Sequence, residues 1–568
     1  MAEAPDIRRA GPNGPALSRR HLLQMGAVGL VGVPLLGACG GENTVGDRDG
    51  GGSGSDREGS GEEAAAGRPD RSAILKWGSM RAESMDPVRQ VAVEWVQLNA
   101  VYDTLLTISP TDGTIGPRLA SEWEVSDGRI HLTLRDDVTF QDDTPFDADA
   151  VKFNLDRLLS DRDSNITSTV PQLDRVEVVD EHTVDLVLSQ NTPLAMLMAL
   201  TSRPGMMASP TAVRRAGTSA AFSEQPVGAG MYAVEGAWYP RESMSVRAWD
   251  GYWDTDAQTL GGIDFTEVSL DSKVNSLRSG SIDIASFEGY DVPALDRDDA
   301  ITLTLGPSPR GRGLTVNTTI APLDDLKVRQ AIAHAIDRDA MVEALTAGHG
   351  EARYQPFASD SPAYDEDLDD IYTYDPDRAR ELLADAGYED GLTFASIIGG
   401  TATAYVQFGE LLQSQLREVD IDMDLQLVDQ ARTIPMLYRD GGHGEAASAP
   451  IGGGANAADT DQFIRQYFLP DGPFNAGGVE IEGLEGLLQL AGAQPDTDSA
   501  RPHYQEINRT ITENLYQVIP VYADAAVTGH ARYVGGLTRA VLDTDSNPEL
   551  LRGIYINEGR EPAPESGG

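Results

Sequence analysis

Pro226-Val227-Gly228-Ala229-Gly230-Met231-Tyr232 is the stretch on which the reading of the fold turns. Two glycines beside a proline suit a chain crossing from one lobe to another, where backbone with positive φ is needed. Outward from it, short elements of both kinds alternate. Toward the N-terminus, Ile130, Leu132 and Leu134 alternate with polar neighbours as in a half-buried strand, and so do Val184, Leu186 and Leu188. Asp147 is placed to cap a helix whose Val151, Leu155, Leu158 and Leu159 share one face. Toward the C-terminus, Leu326, Ile332, Ile336, Val342 and Leu345 predict one helix. Asp375-Pro376 opens another, which Gly387 ends after Leu382-Leu383. Phe408, Leu411, Leu412 and Leu416 precede a strand bearing Ile421, Met423, Leu425 and Leu427. Tyr504, Ile507, Ile511 and Leu515 make a helical face before the strand-like Val518-Ile519-Pro520-Val521-Tyr522. No fixed-period repeat appears, and the pattern is that of an α/β chain.

The two ends read differently. Residues 22–38 form an apolar, Gly- and Leu-rich run, preceded by Ser18-Arg19-Arg20 and ending Leu36-Gly37-Ala38-Cys39. A paired arginine, a short apolar run and small residues before a cysteine resemble a twin-arginine export signal with a lipoprotein box. Leu22 and Gln24 stand where Phe and Lys are commoner in that motif. The run is too short, too Gly-rich and too interrupted by Pro34 to be read as a membrane span. Cys39 is the only cysteine, so an internal disulfide is excluded and lipidation at Cys39 is expected. Residues 1–38 are then a signal peptide, 39–71 a Gly-, Ser- and acid-rich disordered tether, and 559–568 a disordered tail. Asp47-Arg48-Asp49-Gly50 lacks the closing glutamate of a calcium loop and is read as linker.

Between these ends lie roughly 490 residues, enough for two or three lobes. The formal charge is −46, from 90 acidic and 44 basic residues, only four of them lysines. Such a field repels nucleic acid and anionic lipid, which are excluded as partners.

The order of segments resembles the family 5 extracellular solute-binding proteins of ABC importers, a group of dipeptide, oligopeptide and nickel binders. The blocks are Ser84-Met85-Asp86-Pro87, Val101-Tyr102-Asp103-Thr104-Leu105-Leu106, Arg118-Leu119-Ala120-Ser121-Glu122-Trp123 and Leu134-Arg135-Asp136-Asp137-Val138-Thr139-Phe140. Ala148-Asp149-Ala150-Val151-Lys152-Phe153, the 226–232 turn and Leu277-Arg278-Ser279-Gly280-Ser281-Ile282-Asp283 follow. Val328-Arg329-Gln330-Ala331-Ile332, Ile336-Asp337-Arg338 and Tyr374-Asp375-Pro376 complete the set. Gln141-Asp142-Asp143 departs from the family's His-Asp-Gly, and Ala229 and Met231 replace Thr and Pro. The resemblance implies an α/β, class II periplasmic-binding-protein-like fold with two main lobes around a cleft and a smaller inserted lobe. Lobe I would comprise 72–107, 226–314 and 524–558, lobe II 108–225, and lobe III 315–523. Crossings are expected near 227–232 and at Val316-Asn317, with ligand enclosed as lobes I and III hinge shut.

The implied function is an import receptor: a monomer, lipid-anchored outside the cytoplasmic membrane, passing its solute to permease and ATPase subunits. In peptide-binding members an aspartate pairs with the ligand's α-ammonium; here that position aligns with Asn456, keeping an acceptor but losing the charge. Asp459 or Asp461 then substitutes, or the ligand lacks a free amine. The candidate ligand contacts are Asn456, Asp459, Asn317, Trp238 and Tyr405. Trp123, Trp238, Trp249 and Trp253 either line a cleft or fill a core, and Arg329 is read as a structural ion-pair partner. Peptide is the leading ligand class and an oligosaccharide or other small polar metabolite the alternative. A nickel chelate at His443 is set against a solvated loop histidine, and no metal or cofactor is expected. A secreted hydrolase is disfavoured. There is no Gly-x-Ser-x-Gly, no His-Glu-x-x-His, and no free cysteine after lipidation.

Overall fold

The computed structural model describes residues 68–79, 84–89, 96–109, 113–161, 164, 166, 170, 172–236, 243–399, 403–428, 436, 446–452, 460–537, 549 and 551–563. Cys39, Trp238, His443, Asn456 and Asp459 lie outside them.

Two long antiparallel strands, Ile301–Val316 and Val518–Ala531, form the spine of an 11-stranded mixed sheet. On one side of the spine lie Ser448–Gly452, Leu392–Gly399 and Ile421–Val428. On the other lie Ile284–Phe287, Ile74–Ser79, Gly262–Glu267, Ser243–Ala248 and Tyr232–Val234, and the short Glu351–Ala352 pairs with Val518–Ala531 off this path. The sheet is continuous in its pairings, but the spine ladder breaks register between Pro307 and Gly311. The cores divide at the same place. Ile301, Ala525 and Val527 pack with Leu277 and Phe287. Leu314, Val316, Ile519, Val521 and Tyr522 pack instead with Ile332, Phe408 and Leu412. The crossing between these cores therefore lies at 307–311 and 523–525, several residues before the expected Val316-Asn317, because each strand runs through the boundary without ending there.

The 226–232 turn crosses elsewhere. Ala229 lies in a third core under the four-stranded sheet of Ala120–Ser126, Arg129–Leu134, Thr183–Leu188 and Leu173–Asp180, Met231 and Tyr232 belong to the core around Leu75 and Trp77, and Val227 packs against both. Neither Gly228 nor Gly230 has positive φ. They are glycine for lack of room: a Cβ on Gly228 would sit 2.2 Å from the Val101 carbonyl oxygen, and one on Gly230 2.6 Å from the Val101 carbonyl carbon. Gln141, the residue replacing the family histidine, completes this joint. Its Nε2 lies 3.0, 3.1 and 2.9 Å from the carbonyl oxygens of Val101, Gly230 and Tyr232, and its Oε1 accepts from Gly228 N at 3.0 Å. Asp143 adopts φ +61° where the family has glycine.

Local signals set most elements. The Asp147 side chain caps Ala148–Ser160 through Ala150 N, and Asp375 caps Pro376–Asp385 through Arg378 N. Gly387 follows at φ +87°. Burial alternates along Arg129–Leu134 as its period-2 pattern requires. The single helix expected over Leu326 to Leu345 is two, Leu326–His334 and Arg338–Thr346, because Asp337 caps the second through Ala340 N. Arg338 is almost sealed from solvent and has no carboxylate partner among the described residues. It donates instead to the carbonyls of Arg353, Pro520, Ala333 and Tyr372 with its guanidinium over the Tyr354 ring, and burial lowers its pKa to about 10. The inner ends of the expected tether and tail are each paired into the fold. Arg68 N donates to Asn557 Oδ1, Asp70 N to the Ile556 carbonyl, and Ala563 N to the Arg532 carbonyl. Among the described residues no helix is long and apolar enough to cross a membrane.

Candidate functional site

The gap between the two spine cores holds the most distinctive polar group. Arg312 pairs across the sheet with Gly452 on one side and Tyr522 on the other. Its Nε donates to Asp524 Oδ2 at 2.7 Å, and its guanidinium carbon lies 4.4 Å from the Tyr405 ring centroid. Arg312 and Asp524 each leave 14 % of the side chain open. Burial disfavours the Arg312 charge, but Asp524 outweighs it, helped by Tyr405 and Tyr522, and raises the pKa above the ordinary arginine range. Burial likewise raises the hydroxyls of Tyr522 and Tyr467. Tyr467 stacks on Phe474 with centroids 5.0 Å apart.

The chain leaves the sheet at Gly452, opposite Arg312, and is next described at Thr460, the start of the helix Thr460–Phe468. Asn456 and Asp459 belong to the intervening stretch. Asp461 lies on that helix, but its carboxylate already faces Arg465 Nε at 2.5 Å, so it is not an uncommitted partner for an ammonium. Asn317 is buried, and its Oδ1 accepts from Thr319 N and Oγ1 at 3.0 and 2.6 Å. That oxygen closes a local turn. Of the sequence candidates, Tyr405 is the one the described structure brings to Arg312. Arg312 and Asp524 were missed; an arginine set between two glycines, Gly311-Arg312-Gly313, in an acid-rich chain is the signal that points to them.

The tryptophans described here serve packing. Trp123 lies against the four-stranded-sheet core, Trp249 against the Leu75 core, and Trp253 against both. Trp253 Nε1 also donates to Asp103 at 2.9 Å, and Arg135 stacks 4.0 Å over its ring. Arg329 is structural, but it bonds the carbonyls of Asn514, Leu323 and Asp324, where an ion pair was expected. No group of three or more His, Cys, Asp or Glu able to hold a metal occurs among the described residues.

A mixed sheet carried through two cores by a pair of crossing strands is the architecture of class II periplasmic binding proteins. NikA from Brucella suis in complex with Fe(III)-EDTA superposes with TM-score 0.75 at 21 % identity, covering 85 % of this chain and 100 % of that one. The dipeptide-binding protein from Pseudoalteromonas sp. SM9913 in complex with Met-Leu gives 0.72 at 21 %, with the same coverage. The model for bacterial extracellular solute-binding proteins, family 5 middle, matches residues 114–475, and this chain belongs to that family. The glutathione-binding protein GsiB of Shigella flexneri is 32 % identical over 436 residues, 74 % of this chain and 82 % of its own length. GsiB of Salmonella paratyphi A is 29 % identical with the same coverage. The protein is a substrate-binding component of an ABC importer, a binding protein and not an enzyme.

Proposed function

We propose that the chain captures a peptide-like solute of about the size of glutathione between lobe I (72–107, 226–314, 524–558) and lobe III (315–523), lobe II (108–225) being inserted between parts of lobe I. It acts as a monomer held outside the cytoplasmic membrane by lipid on Cys39, and hands the solute to a permease with its ATPase subunits. The similarity to the glutathione-binding proteins over 436 residues carries the peptide-like reading. The two cores joined at 307–311 and 523–525 support a hinge there.

The test is calorimetry with glutathione, a dipeptide, a tripeptide and a neutral oligosaccharide, paired with solution scattering. Saturable binding of the peptides with a smaller radius of gyration is expected. Binding of the oligosaccharide alone would replace the peptide reading, and binding without compaction would remove the hinge. Asn456→Asp should strengthen free-amine peptides by the worth of a charge-assisted hydrogen bond, about 10- to 150-fold, and leave neutral ligands unchanged. Cys39→Ser should release folded protein from the membrane. Labelled fatty acid still entering that variant would end the lipoprotein reading.

A further inference from the structure

We infer that Arg312 is an anchor for a carboxylate of the ligand, presented between the two cores with Asp524 and Tyr405 as its supports. The assignment rests on the import-receptor reading above and specifies the chemistry of the solute.

A guanidinium has five N–H donors in a planar fork. Here Asp524 takes Nε and Tyr405 covers one face, while Nη1 and Nη2 donate to no acceptor among the described residues. The side chain as a whole keeps 14 % of its surface open. The other well-buried arginines are spent differently. Arg118 is divided between Asp103 and Glu549, Arg338 and Arg329 donate from both Nη and Nε to carbonyls, and Arg353 gives both Nη to the carbonyls of Phe357 and Ser308, with only its Nε left sealed and unpartnered. Arg312 is thus immobilised at one nitrogen and one face and, among the described residues, left uncommitted along the edge that binds a carboxylate bidentately. Its place adds the second argument. On the two crossing strands Arg312 and Asp524 fall between the last residues of one core and the first of the other. A solute seated there touches both halves at once. Asp524 leaves the pair near neutral overall, so the carboxylate meets oriented donors, not a bare charge.

The experiment is calorimetry with four probes: Ala-Phe, Ala-Phe amide, glutathione and succinate. Each is measured on the unaltered protein and on R312Q, R312K and D524N, with circular dichroism confirming the fold. The acid dipeptide is expected to bind about 10- to 100-fold more tightly than its amide. R312Q should abolish that ratio and R312K, lacking the fork, should retain part of it. D524N, which releases the Nε support of the fork, should lower the acid-to-amide ratio without abolishing it, and a ratio unchanged in D524N overturns the supporting role given to Asp524. Where R312Q does not fold, R312Q/D524N removes both charges and the same ratio is read. Equal affinity for acid and amide in the unaltered protein, or an equal loss of both in R312Q, overturns the assignment and leaves the peptide reading standing. Succinate binding that R312Q abolishes, without peptide binding, keeps Arg312 and ends the peptide reading. Failure of all four probes overturns both.

Discussion

Replacing Gln141 by alanine should loosen the joint between the 226–232 turn and the end of the helix Val96–Val101. The Gln141 amide has two Nε2 hydrogens and three carbonyl oxygens within 3.1 Å, so one hydrogen is shared between two of them. With the bond accepted by Oε1 from Gly228 N, the side chain contributes about three full hydrogen bonds. At about 1 kcal/mol each the loss is about 3 kcal/mol. The residue is half-buried, so water entering the space recovers part of that, and about 2–3 kcal/mol is expected for Gln141→Ala. Gln141→His restores the family residue, but an imidazole has only two ring nitrogens to serve four partners, so a loss of about 1–2 kcal/mol is expected. Urea unfolding followed by circular dichroism and by tryptophan fluorescence measures this, and coincidence of the two probes checks for intermediates in a chain with several cores. A cost below about 1 kcal/mol for the alanine variant would refute the view that this amide holds the joint.

Other consequences follow from single positions. His530 is buried, with Nδ1 at 3.1 Å from the Ala531 carbonyl and Nε2 at 3.4 Å from Thr304 Oγ1, and burial pushes its pKa down to about 4. The unfolded chain therefore binds the extra proton between pH 6.5 and 4, and stability intact above pH 6.5 should fall by about 3 kcal/mol across that window. His530→Gln should flatten that part of the stability profile; an unchanged profile refutes it. Asp143→Gly should relieve the φ of +61° and raise stability by up to about 1 kcal/mol, read as a higher urea midpoint. Gly228→Ala should cost about 3 kcal/mol or more, because its Cβ would meet backbone that cannot swing aside, and soluble yield would fall with it.

The fold is legible wherever a local rule is strong. Asp147 and Asp375 cap where their patterns place them, and Arg129–Leu134 alternates, because these depend on neighbours in sequence. The motif blocks are legible for a related reason: their charged residues have fixed partners in the fold. Arg118 meets Asp103 at 2.9 Å, and Arg157 and Ser219 converge on Asp86. Such pairs hold elements together and say nothing of the ligand. Position in the third dimension is the part that sequence hides. Gly228 looks like a φ > 0 glycine until Val101 is seen against it. Periodicity cannot tell a helix that continues past Ile336 from one that restarts on the Asp337 cap. Arg312 stays hidden because its partner Asp524 is 212 residues away.

The formal charge of −46 sets a further condition on an anionic solute. At distances beyond the Debye length the many carboxylates act together and oppose its approach, while Arg312 acts only at contact. Salt screens the long-range repulsion first, since the Debye length shrinks from about 30 Å at 0.01 M to about 10 Å at 0.1 M, still several times a hydrogen-bond distance. The association rate of glutathione, with net charge about −1 at pH 7, should therefore rise over that range. Its diethyl ester carries about +1 and should associate more slowly as salt is added. Stopped-flow fluorescence gives both rates. Acceleration of the acid with slowing of the ester is the expected result. If the acid instead slows as salt is added, a local positive field extends well beyond Arg312 and the approach is steered by more of the surface than the crossing strands provide.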